Sequence, residues 1–222
     1  MIGPAGHADA GAFLVRLLRL APAALVRLRP GRDPAGGGRT EIWAMLPFGV
    51  LVVRALPVSL DTDVTVAAAA LLETLSDPPA PAPRRRDEAW RWPLPPSRGR
   101  EVERLPAAEV ARVAAAASRT LREASQRGVG GRAVGERVIR DALLDHIPIV
   151  VTGYHGESVD VPQRIVQAAV RMGFLGSISE DPSGSVTSGD NLVTVRLVSG
   201  WIGLDASYGC AWYHPTSPLR IG

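Results

Sequence analysis

Seven prolines fall between Asp77 and Gly99: Pro78, Pro79, Pro81, Pro83, Pro93, Pro95 and Pro96. Each lacks a backbone N–H and fixes its own φ, so the stretch supports neither a helix nor an interior strand. It predicts an extended, Pro/Arg-rich linker over 77–100 with polyproline character, dividing the chain into residues 1–76 and 101–222.

The first part has the order α-β-β-β-α. Asp9 is placed to cap a helix over 9–20, where Phe13, Leu14, Leu17 and Leu18 recur at helical spacing. Residues 24–29 alternate, with Val26 and Leu28 on one face and Arg27 and Arg29 on the other. Residues 40–46 and 50–55 read as two more strands joined through Pro47-Phe48-Gly49. The run Val50-Leu51-Val52-Val53 is apolar on both faces and predicts a central strand covered on both sides. A helix is expected over 66–75.

The second part reads as three helices, over 106–127, 133–145 and about 160–172, followed by an antiparallel meander of 192–198, 201–205 and 208–213. Asp160 and Gln163 have capping-box spacing, and a short strand at 149–152 precedes them. The expected class is α+β: an antiparallel sheet in the first unit, helices and a meander in the second, in winged-helix-like order. A winged helix would use 162–172 as recognition helix and 181–191 as wing. That helix carries only Arg164 and Arg171, and the preceding connection is longer than a helix-turn-helix allows.

All 25 basic residues are arginine, among 23 glycines and 19 prolines, a bias that points to a GC-rich genome and discounts single arginines as functional choices. Residues 1–105 hold 14 arginines against 11 acids and residues 106–222 hold 11 against 11, which argues against nucleic acid as a partner. Cys210 is the single cysteine, so no internal disulfide or CxxC site exists. The opening residues lack a secretory signal, and the apolar runs are shorter than a membrane span, so the expected location is the cytoplasm without membrane insertion.

No arrangement specific enough for a catalytic residue, a cofactor or a metal emerges. Gly128–Gly135 follows a helix instead of a strand, and the chain has no lysine for a phosphate loop. His155, Glu157 and Asp160, with His146 or Asp145, match no ligand spacing, and solvated loop groups explain them. Cys210 sits in an apolar strand with no base beside it.

The candidate interaction residues lie in the linker: Arg84, Arg85, Arg86, Trp90 and Trp92. Trp90 and Trp92 flank Arg91 in extended chain, so both rings project to one side. They are expected to dock on the helices of one or both units, holding the linker as a strap; a docking motif for a foreign aromatic groove is the other reading. The residues favour a non-enzymatic interaction protein with a protein partner or as a homodimer. A DNA-binding regulator and an enzyme with an unrecognised site are the alternatives.

FLVRLLRLAPAALVRLRPG and TEIWAMLPFGVLVVR resemble the opening of a group of uncharacterised actinobacterial proteins, and NLVTVRLVSGWIGLDASYG is similar to their ends. The chain is also similar to a conserved protein encoded beside glucose kinase in streptomycetes. That resemblance implies a role in sugar-dependent regulation, by gene neighbourhood alone, and carries over no residue.

Overall fold

The structure is a computed structural model that describes residues 4–32, 38–77, 81–127, 136–153, 156–176 and 191–215. The chain runs α1 (Pro4–Leu20), β1 (Leu25–Arg32), β2 (Gly38–Met45), β3 (Leu51–Leu56), β4 (Val64–Ala67) and α2 (Ala68–Ser76). After the proline-rich stretch come β5 (Arg100–Pro106), α3 (Ala107–Arg127) and α4 (Glu136–Asp145). A hairpin of β6 (Ile149–Thr152) and β7 (Ser158–Val161) leads into α5 (Gln163–Arg171), then β8 (Leu192–Val198), β9 (Trp201–Ala206) and β10 (Gly209–Tyr213).

Eight strands form one antiparallel sheet in the order β4-β1-β2-β3-β10-β9-β8-β5. Four come from each part of the chain, and they join where Val53 pairs with Cys210, Val52 with Ala211 and Leu51 with Trp212. Local turns set the hairpins. Gly49 takes φ +76° and closes the β2–β3 connection, where its N–H donates to Leu46 O at 3.0 Å. Ser199 and Gly200 are both at positive φ, as a two-residue hairpin turn requires.

Strand alternation sorts the side chains. One face carries Val26, Ile42, Ala44, Val52, Val193, Val195, Ile202, Leu204 and Ala211, covered by the apolar stripes of α1, α2, α3 and α5. The opposite face carries a second cluster of Trp43, Leu51, Val53, Trp201, Cys210 and Trp212. Gly203 sits across from Trp212, and a Cβ there would lie 2.7 Å from the indole, so glycine makes room for the ring. Val50 to Val53 are buried from both sides, as an apolar run in a middle strand demands.

The continuous sheet overturns the expected winged-helix-like order of a helical unit with its own meander. The meander is instead one half of an eight-stranded sheet, and β5 lies at its far edge. The gap between the second and third helices is occupied by the β6–β7 hairpin. The stretch expected to begin a helix at 66 holds β4 first, because its edge groups find β1 as a partner. Asp9 does not cap α1: the helix starts at Pro4, and Asp9 accepts a hydrogen bond from Arg54 Nη2 at 2.7 Å. The Asp160–Gln163 box does not form either, since Pro162 precedes α5 without a side-chain cap and Asp160 belongs to β7. Residues 181–190 of the expected wing and Gly128–Gly135 lie outside the described residues.

Candidate functional site

The linker is a strap across the outer face of the sheet. Trp90 and Trp92 are half-buried against the cluster around Trp43 and Trp212. Trp90 Nε1 donates to Trp92 O at 2.7 Å, and the two rings meet edge to face with centroids 5.0 Å apart. The Arg27 guanidinium lies 5.9 Å from the Trp90 centroid. The docking surface is thus the sheet face and not the helices, because the helices spend their apolar stripes on the opposite side.

Arg84, Arg85 and Arg86 are exposed, but the backbone beside them is pinned. Arg86 N–H donates to Thr65 O at 2.7 Å, and Thr65 N–H donates to the Asp87 carboxylate at 2.7 Å. Arg85 adds bonds to Asp87 and to the Asp63 carbonyl, at 2.8 and 3.1 Å. The Thr65 amide, followed by Arg85, holds the Asp87 carboxyl below its usual pKa. Asp63 receives both Nε and Nη2 of Arg27 at 2.8 Å, a forked pair that raises the arginine pKa further.

The polar loop groups do not converge. Glu157 pairs with Arg100 at 2.5 Å, His146 accepts the Gln163 N–H through its backbone carbonyl at 2.8 Å, and His155 lies outside the described residues. Among the described residues, no group of three or more His, Cys, Asp or Glu side chains could hold a metal. Cys210 is buried, and burial pushes its thiol well above the ordinary pKa.

A pocket of about 380 Å³ opens beside α5 on the helix-bearing side of the sheet. Ile147, Val159, Leu197, Ile202, Tyr213 and Pro215 give it an apolar floor, and Asp145 and Asp160 stand on its rim. Arg164 contacts two of these residues: it pairs with Asp145 and lies 5.0 Å from the Tyr213 ring centroid, while it donates to Phe48 O at 2.9 Å. Ile147 remains 37% exposed, and Val150 of the adjoining hairpin 60%, so apolar surface faces solvent here. Sequence reasoning missed this site because its floor comes from four separate segments, none carrying a motif.

The fold resembles that of solved bacterial DNA polymerase III beta subunits. The chain superimposes on the DNA polymerase III subunit beta of Pseudomonas aeruginosa with TM-score 0.50 and 10% identity, over 96% of this chain and 65% of that one. The beta subunit of Thermotoga maritima gives 0.48, 9%, 98% and 65%, and the DNA polymerase sliding clamp of Caulobacter crescentus 0.48, 9%, 97% and 66%. This chain therefore spans just under two thirds of their length. Residues 94–218 match the Domain of unknown function (DUF8185), and residues 1–92 match the Domain of unknown function (DUF8010). The chain belongs to the DUF8185 family. No curated protein matches in sequence. The clamp-like fold overturns the expected sugar-dependent regulator and its winged-helix alternative: the first rested on gene neighbourhood, the second on an element order the sheet contradicts. Among the described residues no helix is long and apolar enough to cross a membrane.

Proposed function

We propose that the chain is a clamp-like protein-interaction module whose partner inserts apolar side chains into the pocket floored by Ile147, Ile202 and Tyr213. The observation that carries this reading is the apolar surface left exposed at Ile147 and Val150, beside the floor of Ile202 and Tyr213. Burying one leucine-sized side chain there is worth about 2 kcal/mol. The rim carboxylate of Asp160 favours a partner segment with arginine or lysine next to its apolar anchor.

The sheet edges are poorer contact surfaces. Thr65 on β4 already exchanges its outward N–H and C=O with the strap. The β5 edge carries Arg100, Glu101, Glu103 and Arg104 and ends in Pro106, residues that discourage strand addition. The five helices carry ten arginines against seven carboxylates, too small an excess to hold duplex DNA tightly. The similar structures are subunits of DNA polymerase III, so a protein that acts on DNA is the first partner to try.

Selection of a displayed random-peptide library on the full chain tests the proposal. Enrichment of peptides pairing a large apolar residue with a basic one, lost in Ile147→Asp, is the expected result. No enrichment, or enrichment indifferent to Ile147→Asp, would overturn it.

A further inference from the structure

The strap packs one side of itself on the sheet and leaves the other to solvent. Trp90, Trp92 and Leu94 rest on the Trp43–Trp212 cluster, whereas Arg91, Pro93, Pro96, Ser97 and Arg98 are exposed. The stereochemistry of the stretch produces this division. Each proline fixes its own φ, and a residue that precedes a proline is held in extended backbone, so Trp92, Leu94 and Pro95 are driven to polyproline geometry. Three residues make one turn of that helix, which places Pro93 and Pro96 on a single ridge. That ridge is the exposed one.

Both ends of the segment are fixed. Upstream, the Asp87 carboxylate accepts the Thr65 N–H and Trp92 O accepts Trp90 Nε1, each at 2.7 Å. Downstream, Gly99 turns the chain at φ +70° and its carbonyl accepts Arg196 Nη1 at 3.4 Å, after which Arg100 begins β5. An extended segment held in this way gives up little conformational entropy when a partner takes it.

Residues 93–98 read Pro-Leu-Pro-Pro-Ser-Arg, two prolines three apart with an arginine two positions further on. The Arg98 side chain is 74% exposed and reaches only 4.0 Å from Asp205, a carboxylate that Arg196 already holds at 2.8 Å. Its charge is therefore free to meet one from outside. Grooves lined with aromatic rings take proline segments of this kind, because the ridge is apolar and already ordered. A carboxylate beyond the groove pairs with the arginine and fixes the register.

We propose that Pro93–Arg98 is a docking segment for a protein domain with an aromatic, proline-binding groove. Pro93 and Pro96 sit between the rings of that groove, and Arg98 pairs with a carboxylate at its end. The strap then works from both sides: its tryptophans fasten it to the sheet while its prolines present a preformed ligand. This surface lies on the opposite face of the sheet from the Ile147 pocket, so either can fail without the other.

Isothermal titration of the full chain with a recombinant SH3 domain selective for peptides of the form Pro-x-x-Pro-x-Arg tests the surface. Saturable binding is expected, weakened at least about tenfold in Pro96→Ala and in Arg98→Ala, with the circular dichroism spectrum unchanged. Arg84→Ala, which removes an equal charge outside the segment, should bind like the parent chain. A synthetic peptide of residues 90–99 should bind no more tightly than the full chain, whose segment is already ordered. Three results would each overturn the proposal: no binding of the full chain at near-millimolar domain, binding indifferent to Pro96→Ala or Arg98→Ala, or binding by the free peptide alone.

Discussion

The backbone N–H of Thr65, on the outermost strand of the sheet, donates to the side chain of Asp87 at 2.7 Å. A carboxylate thus stands where a neighbouring strand would place its carbonyl. Together with the Arg86 N–H to Thr65 O bond, it seals this edge against strand addition and fixes one end of the strap. The edge strand and the strap are 22 residues apart in sequence.

Removing this clip is expected to free the strap without unfolding the sheet. In Asp87→Ala, trypsin should cut at Arg84–Arg86 several-fold faster than in the parent chain, while the far-ultraviolet circular dichroism stays the same. The pH dependence has a definite sign. The folded-state pKa of Asp87 is depressed, so its contribution is present above the unfolded carboxylate pKa and is lost as pH falls through the lower folded value. The tryptic sites should therefore stay protected at pH 5. An unchanged cutting rate in Asp87→Ala would show that the strap is held elsewhere.

Trp90 and Trp92 hold the rest of the strap. Replacing both with alanine removes two half-buried rings from the Trp43–Trp212 cluster and should cost about 2–4 kcal/mol, less than full burial of two indoles would imply. Urea unfolding followed by circular dichroism measures this. A loss below about 0.5 kcal/mol, the scale of an ordinary surface substitution, would mean the rings rest on the sheet without stabilising it.

Val52 is fully buried beside the β3–β10 junction and faces the helices. Val52→Asp would bury a charge with no partner and is expected to cost at least about 4 kcal/mol, most of a typical domain's stability. Thermal unfolding decides it: a melting temperature within a few degrees of the parent chain would be incompatible with Val52 as core.

Weak DNA binding follows from the near balance of charge on the helices. Fluorescence anisotropy with a random duplex at physiological salt should give no submicromolar affinity, and a variant lacking Arg112, Arg119 and Arg122 should differ little from the parent chain. Tight binding that falls steeply with salt would reverse this conclusion.

Periodicity along the chain determined the local elements. The apolar spacing of Val110, Val113 and Ala117 specified a helix now seen at Ala107–Arg127, and the alternation of residues 192–198 specified β8. The apolar run at Val50–Val53 announced a strand covered on both sides. These signals are local because a side chain's face follows from its own backbone geometry.

Tertiary structure alone decided what each face meets. Nothing near Val53 specifies Cys210 as its cross-strand partner, 157 residues away, since alternation marks an apolar face without naming its neighbour. Arg100–Pro106 and Val64–Ala67 became edge strands only because β8 and β1 offered open hydrogen-bonding edges. Ile147, Ile202 and Tyr213 meet in one pocket through the folding of distant segments onto a shared sheet. Burial of apolar surface has no direction of its own, so register and long-range pairing were settled by the shape of the whole assembly and not by any short stretch of sequence.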